Sequence, residues 1–129
     1  MKKLIAVLIA LSVVTILTAA SCSGTGGNGN SYGNDVHMGN TTFTQPSVTI
    51  SKGSTVNLID DVAVLHIISN GSWVNGVGTP TTEPGAPAVS NLQFNTAGQN
   101  INVGPFNTAG TYHIYCSVHQ NMNLTVIVQ

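Results

Sequence analysis

The chain has 129 residues and a formal net charge of -1, from three basic and four acidic side chains. That length allows one domain with a modest hydrophobic core. The basic residues are Lys2, Lys3 and Lys52, so no basic patch can form, which argues against nucleic-acid binding. So few charges would be typical of a membrane protein unless a leader segment accounts for the apolar residues.

The first predicted element is a secretory signal peptide at residues 1–21. Residues 1–3 (MKK) carry positive charge, residues 4–17 are almost entirely apolar, and residues 19–21 (AAS) are small. This order is that of a signal peptide with its cleavage site. The apolar run is shorter than the roughly 20 residues that a membrane-spanning helix requires.

Cys22 follows the predicted cleavage site, and the small residues before it resemble a bacterial lipobox, although Ala19 stands where Leu is usual. The resemblance implies a lipid on Cys22. Two alternatives remain: ordinary cleavage that leaves a free thiol, and a disulfide to Cys116. Residues 22–34 are rich in glycine and lack aliphatic side chains, which predicts a flexible tether. We therefore expect a domain at 35–129, exported and anchored on the extracytoplasmic face of a bacterial membrane.

The domain is predicted to be an all-β sandwich or barrel, because short runs rich in Val, Ile, Thr, Tyr and Phe alternate with turn residues. The predicted strands are 35–38, 42–44, 47–51, 55–59, 63–68, 92–94, 99–103, 110–116 and 123–128. A turn is predicted at Asn70-Gly71. Residues 69–91 contain Trp73, four glycines and three prolines, and are expected to form a long loop that frames a site.

Four residues have the chemistry of metal ligands. Cys116, His119 and Met122 follow one another with the spacing C-x2-H-x2-M on a loop between two predicted strands, and His66 lies near the end of the earlier predicted strand 63–68. One thiolate, two imidazoles and a thioether are the ligands of a type 1 (blue) copper site, in which a weak axial Met tunes the redox potential. His37, Met38 and His113 are also metal-capable, but they are expected to be ordinary strand residues.

On these residues the chain resembles the cupredoxins of the plastocyanin/amicyanin type. Gly110–Cys116 (GTYHIYC) is similar to the strand that enters the family's copper site, and residues 60–66 (DDVAVLH) are similar to the approach to its first ligand. The resemblance covers about residues 47–129. It implies a Greek-key β-sandwich that binds one type 1 copper through His66, Cys116, His119 and Met122.

Two departures from the family pattern lie close to these ligands. Gln120-Asn121 stand where many relatives have Pro-Gly before the Met, and Ile67 stands where an Asn often follows the first His. Without that Asn a hydrogen bond that supports the ligands is lost. These departures affect the predicted axial role of Met122 more than the roles of the other three ligands.

The resemblance implies that the protein carries one electron between extracytoplasmic redox partners, as copper alternates between Cu(I) and Cu(II). Partners would dock transiently at His119, and Tyr115 would offer a second route for the electron. With so little charge, docking should depend weakly on salt. The apolar residues expected to frame His119 are Val118, Pro105, Val77 and Trp73.

The alternative is a copper-binding lipoprotein that delivers or buffers copper without shuttling electrons. A cysteine hydrolase using Cys116 and His119 would need an oriented base and an oxyanion site, for which the sequence offers no residues. A multicopper enzyme needs more histidines than the four present. The chain is therefore predicted to be a monomeric, non-enzymatic electron carrier.

Overall fold

The computed structural model describes residues 34–129. The predicted signal peptide, Cys22 and nearly all of the tether lie outside these residues. The described part contains nine strands and no helix, and accordingly none of its elements is an apolar helix of membrane-spanning length. The strands are β1 (Asp35–Met38), β2 (Ser47–Ile50), β3 (Val56–Asp60), β4 (His66–Val74), β5 (Val77–Pro80), β6 (Leu92–Phe94), β7 (Asn100–Val103), β8 (Gly110–Cys116) and β9 (Asn123–Val128).

The alternating pattern located most strands correctly. β1, β6, β8 and β9 have the predicted bounds, β2 and β7 differ by one residue at one end, and β3 is displaced by one residue at both ends, which is the usual uncertainty of strand boundaries. The predicted strand 42–44 is wrong: it contributes only a single bridge between Met38 and Phe43. β4 begins three residues later than predicted and extends much further.

The prediction of a loop across 69–91 is wrong in its first half, where β4 and β5 form a hairpin. The turn is at Asn75-Gly76 (φ 51° and 77°) and not at Asn70-Gly71. Positive φ at both central residues is what a two-residue hairpin of type I′ requires, and Asn-Gly supplies it at low cost. Gly71 lies within β4 with φ 126°, where β4 changes its partner from β8 to β5.

The strands form two sheets that enclose one hydrophobic core. One sheet has the order β1-β3-β7, and the other has the order β2-β9-β8-β4-β5 with β6 also paired to β4. The pairs β1/β3 and β2/β9 are parallel, whereas the remaining pairs are antiparallel. This confirms the predicted all-β Greek-key sandwich.

The register of β4 against β8 determines how the predicted metal ligands lie relative to one another. Ile68 lies opposite Cys116, so β4 brings its first residue, His66, close to the end of β8. Along β8, Tyr112, Ile114 and Cys116 are buried in the core, because alternate side chains of a strand lie on the same face. Both sheets contribute to the core, which contains among others Val36, Leu58, Val103, Ile68, Ile114, Leu124 and Val126.

Candidate metal centre

Cys116 ends β8 in the interior, at the start of the ligand loop, by which we mean residues 116–122. Its thiol is fully buried and forms no disulfide within residues 34–129. Two backbone hydrogen bonds fix its position: its N–H donates to the Met122 carbonyl at 3.0 Å, and the Ser117 N–H donates to the Ile67 carbonyl at 2.8 Å. The second bond ties the loop to β4, immediately beside His66.

The structure brings His66, Cys116 and His119 together. The Cys116 Sγ lies 3.8 Å from the His66 Nδ1 and 3.5 Å from the His119 Nδ1. All three ligand atoms lie within 4.8 Å of one another. The two imidazole rings are tilted by 60° with centroids 4.9 Å apart.

These distances fit a single metal ion. Metal–sulfur and metal–nitrogen bonds of about 2.3 and 2.0 Å, as in zinc sites, that meet at about 120° place the two ligand atoms about 3.7 Å apart. The sulfur–nitrogen distances here lie on either side of that value. One thiolate and two imidazoles also form the trigonal set that copper takes in a type 1 site. The sulfur–nitrogen distances of the cluster therefore match those expected around one copper ion.

His66 is held neutral and ready to bind metal. Burial lowers the pKa of His66 below its ordinary value, and the nearby His119 lowers it further, whereas Asp60 and the Gly39 backbone partly oppose this. A neutral imidazole keeps a lone pair for a metal, because a ligand must be deprotonated to bind. Its Nδ1 faces Cys116, and its Nε2 lies buried without a hydrogen-bond partner, 3.8 Å from the Asp60 Oδ1.

Asp60 is a site residue whose position the sequence analysis missed. It is fully buried, its Oδ1 accepts the Val62 N–H at 3.2 Å, and its Oδ2 has no partner. A carboxylate behind a metal-binding His commonly orients the ring and raises its basicity. In the sequence, Asp60-Asp61 indicated only a similarity to the segment that precedes the family's first ligand. That Asp60 lies behind His66 depends on how β3 packs against β4.

Met122 is buried at the far end of the ligand loop, with 1% of its surface exposed. Its backbone N–H donates to the His119 carbonyl at 3.2 Å, which closes the loop. Asn121 takes a left-handed conformation, with φ 64°, and Asn is one of the few residues that adopt it readily. The axial role of Met122 at copper stays a prediction.

His119 is half-buried, and exposed apolar side chains occur on the segments around it. Val118 precedes it, and Leu65 precedes His66. The tip of the β4–β5 hairpin touches the ligand loop, because the Gln120 side chain donates to the Gly76 carbonyl at 3.2 Å. We call the following residues the apolar rim: Leu65, Val74, Val77 and Val118, which are 46, 53, 64 and 45% exposed.

Pro105 and Trp73 were also expected to frame His119. Pro105 is exposed in the loop after β7. Trp73 is half-buried, and its indole N–H donates to the backbone carbonyl of Cys116 at 2.8 Å. Trp73 therefore contacts the metal centre through the backbone of Cys116, and it is not a residue that only packs within a loop.

The remaining histidines of the domain lie outside the cluster, and each pairs with a carboxylate. The His37 Nδ1 lies 2.7 Å from the Asp61 Oδ1, and the His113 Nδ1 lies 2.6 Å from the Glu83 Oε1. Burial alone would raise the pKa of Glu83, but hydrogen bonds from the His113 side chain and from backbone groups outweigh it and lower that pKa. His113 thus fastens the segment after β5 to β8.

Fold and site together define a blue copper protein with one type 1 copper. A sequence profile of the copper binding proteins of the plastocyanin/azurin family matches residues 31–129. The chain belongs to this family. A search of curated proteins found no match.

Solved structures of amicyanins share the fold. Amicyanin from Paracoccus versutus is 24% identical with a TM-score of 0.58, over 79% of this chain and 86% of that chain. The oxidised form of a proline-to-glycine mutant of amicyanin is 21% identical with a TM-score of 0.56, over 86% of this chain and 88% of that chain. The predicted cupredoxin fold is confirmed.

Proposed function

We propose that this protein carries single electrons between redox proteins outside the cytoplasm. Copper, when bound, supplies the Cu(I)/Cu(II) couple. The observation that carries the proposal is the His66–Cys116–His119 cluster, whose two sulfur–nitrogen distances are those expected around one ion. A site that need not rearrange can exchange an electron quickly, since ligand movement does not have to accompany each change of charge.

Partners would dock at His119 through the apolar rim. After removal of the predicted leader the chain keeps one lysine, Lys52, and four carboxylates. Of these, Asp60 is buried, and Asp61 and Glu83 are paired with histidines. Long-range electrostatic steering is therefore weak, and contacts at the rim would be apolar or neutral.

The experiment measures electron self-exchange between the Cu(I) and Cu(II) proteins by NMR line broadening, at low and high salt. Val118→Asp and Val77→Asp should each slow exchange about tenfold or more, because like charges would then face each other across the contact. The matched control is Ile127→Asp. Ile127 is 37% exposed on β9 and pairs with Thr111, at the opposite end of β8 from Cys116.

Equal slowing in all three variants would contradict docking at the rim. Exchange that is slow in the unsubstituted protein would contradict the carrier function. In that case rapid, complete transfer of copper to an acceptor chelator would favour the alternative, copper delivery or buffering. We also propose that the protein is a monomer in solution, which size-exclusion chromatography with light scattering would test.

The proposal includes export and a lipid on Cys22, supported by the leader-like residues 1–21 and the small residues before the cysteine. Expressed at full length in a bacterium, the protein should be found in the membrane fraction with an N-terminal lipid detectable by mass spectrometry. Cys22→Ser should release it in soluble form. Membrane association that survives this substitution would contradict the anchor.

A further inference from the structure

The β4–β5 hairpin contacts the ligand loop at its first residue. Beyond Asn70, β4 stops pairing with β8 and pairs with β5 instead, with Gly71 at the change. This brings Trp73 over Cys116, where its Nε1–H donates to the cysteine's carbonyl oxygen at 2.8 Å. The indole is also edge-on to Tyr115, with centroids 6.2 Å apart. The hairpin therefore fixes the backbone of the thiolate ligand.

The same residue also fastens the other end of the loop, through Asn123 immediately after Met122. The Trp73 N–H donates to the Asn123 Oδ1 at 2.7 Å, and the Asn123 Nδ2 donates back to the Trp73 carbonyl at 3.1 Å. This reciprocal pair imitates one rung of a β-ladder, with a side-chain amide in place of a second strand. One hairpin residue thus holds both flanks of the loop.

Between those flanks the loop has few bonds of its own. Ser117, Val118, Gln120 and Asn121 are exposed. The backbone bonds inside the loop are Cys116 N–H to Met122 and Met122 N–H to His119. Side chains that must meet one ion need support from groups behind them, because a small shift of the backbone moves the ligand atom.

We propose that Trp73 and Asn123 are positioning residues of the copper site, acting through the backbone of Cys116 and Met122. Neither side chain is a metal-ligand type placed in the cluster. Their role is to keep the sulfur at its distance from the two imidazoles before copper arrives. The substitution most informative about this is Trp73→Phe, since it keeps an aromatic ring and the backbone bonds to Asn123 but removes the indole donor.

The test measures Cu(I) affinity by competition with a chelator, and the position of the thiolate-to-copper absorption band. Trp73→Phe and Asn123→Leu should each weaken Cu(I) binding about tenfold, the lower end of the effect usual for groups that support metal ligands. Both should also shift the absorption band. Tyr112→Phe, which removes a side-chain donor to the Thr108 backbone carbonyl (2.8 Å) near the start of β8, should change affinity less than twofold. Asn100→Leu, on the other sheet, is the matched control for Asn123→Leu.

A purely structural role predicts a different result. If Trp73→Phe and Asn123→Leu lower the thermal unfolding midpoint but leave the affinity and the absorption band unchanged, the positioning role is wrong. NMR of the copper-free protein gives an independent measurement, in which slow hydrogen exchange of the Trp73 indole proton is expected. Exchange as fast as in free tryptophan would overturn the proposal. Because these readouts concern copper binding, they do not depend on the electron-transfer function proposed above.

Discussion

The ligand loop and the β4–β5 hairpin lie together at one end of the larger sheet, but they contribute different things. The loop supplies two residues of the metal cluster and little regular hydrogen bonding. The paired part of the hairpin, residues 71–80, supplies no residue of that cluster, since His66 lies before it at the start of β4. It has four paired positions of its own and contacts the loop and its flank at Cys116, Gln120 and Asn123. The comparison shows that the chemistry and its mechanical support come from segments far apart in the sequence.

The largest expected effect comes from a substitution in the ligand loop. Cys116→Ala should abolish the intense blue thiolate-to-copper band entirely, because that band requires the sulfur ligand. The measurement is the visible spectrum after addition of Cu(II) to the copper-free protein. Cys22→Ser removes the chain's other cysteine and should leave the band unchanged. A blue band in Cys116→Ala would show that the site has been assigned to the wrong cysteine.

On the hairpin side the largest effect should come from Gly71→Ala. An added Cβ would collide with the Thr79 carbonyl and approach the Pro80 Cα to 2.9 Å, at a φ of 126° that is strained for any side chain. We expect the free energy of unfolding to fall by about 3 kcal/mol or more, measured by denaturant titration.

The matched control is Gly98→Ala, where φ is 83° and no atom lies within 4 Å of the added Cβ. It should lose only about 1–2 kcal/mol, the cost of the left-handed conformation. Equal losses in the two variants would mean that the close approach of β5 to Gly71 does not matter.

A smaller effect is expected from Met122→Leu, which keeps the volume of a buried side chain and removes its sulfur. Such swaps usually cost less than about 1.5 kcal/mol of stability. Copper and the blue band should be retained, with a shifted reduction potential, since the weak axial ligand mainly tunes that potential. Voltammetry measures the shift. Loss of copper binding would show that Met122 is needed to hold the metal and does not only tune its reduction potential.

The smallest effect concerns the segment that follows the hairpin. The pKa of Glu83 is lowered in the folded protein, so its contribution to stability is complete above the ordinary Glu pKa of about 4.3 and is lost as the pH falls through the lower folded value. Because His113 is 41% exposed, we expect Glu83→Gln to cost only about 0.5 kcal/mol at pH 5.5.

The difference in unfolding free energy between Glu83→Gln and the unsubstituted protein should vanish as the pH falls well below the ordinary Glu value. Denaturant titrations at several pH values measure it. A difference that grows on acidification would have the opposite sign to the lowered pKa and would contradict the pairing with His113.

Much of the site could be predicted because its information is local. Cys116, His119 and Met122 lie within seven positions of sequence, and strand alternation placed Cys116 on the buried face of β8. His66 could be predicted from the ligand set, since two imidazoles are needed. The hairpin was also predictable: Val-Asn-Gly-Val at 74–77 is the usual signal of a two-residue turn, but the glycines and prolines of residues 69–91 favoured a loop instead.

The sequence alone thus determined the ligand chemistry, the all-β class and the positions of most strands, because residue type, short spacing and a period of two are properties of local sequence. Only the tertiary structure decided that Asp60 lies behind His66 and that Trp73 bonds to the Cys116 carbonyl. The first contact depends on how β3 packs against β4, and the second on β4 changing its partner from β8 to β5 at Gly71. No local pattern specifies them, because each joins segments that meet only after both sheets have formed.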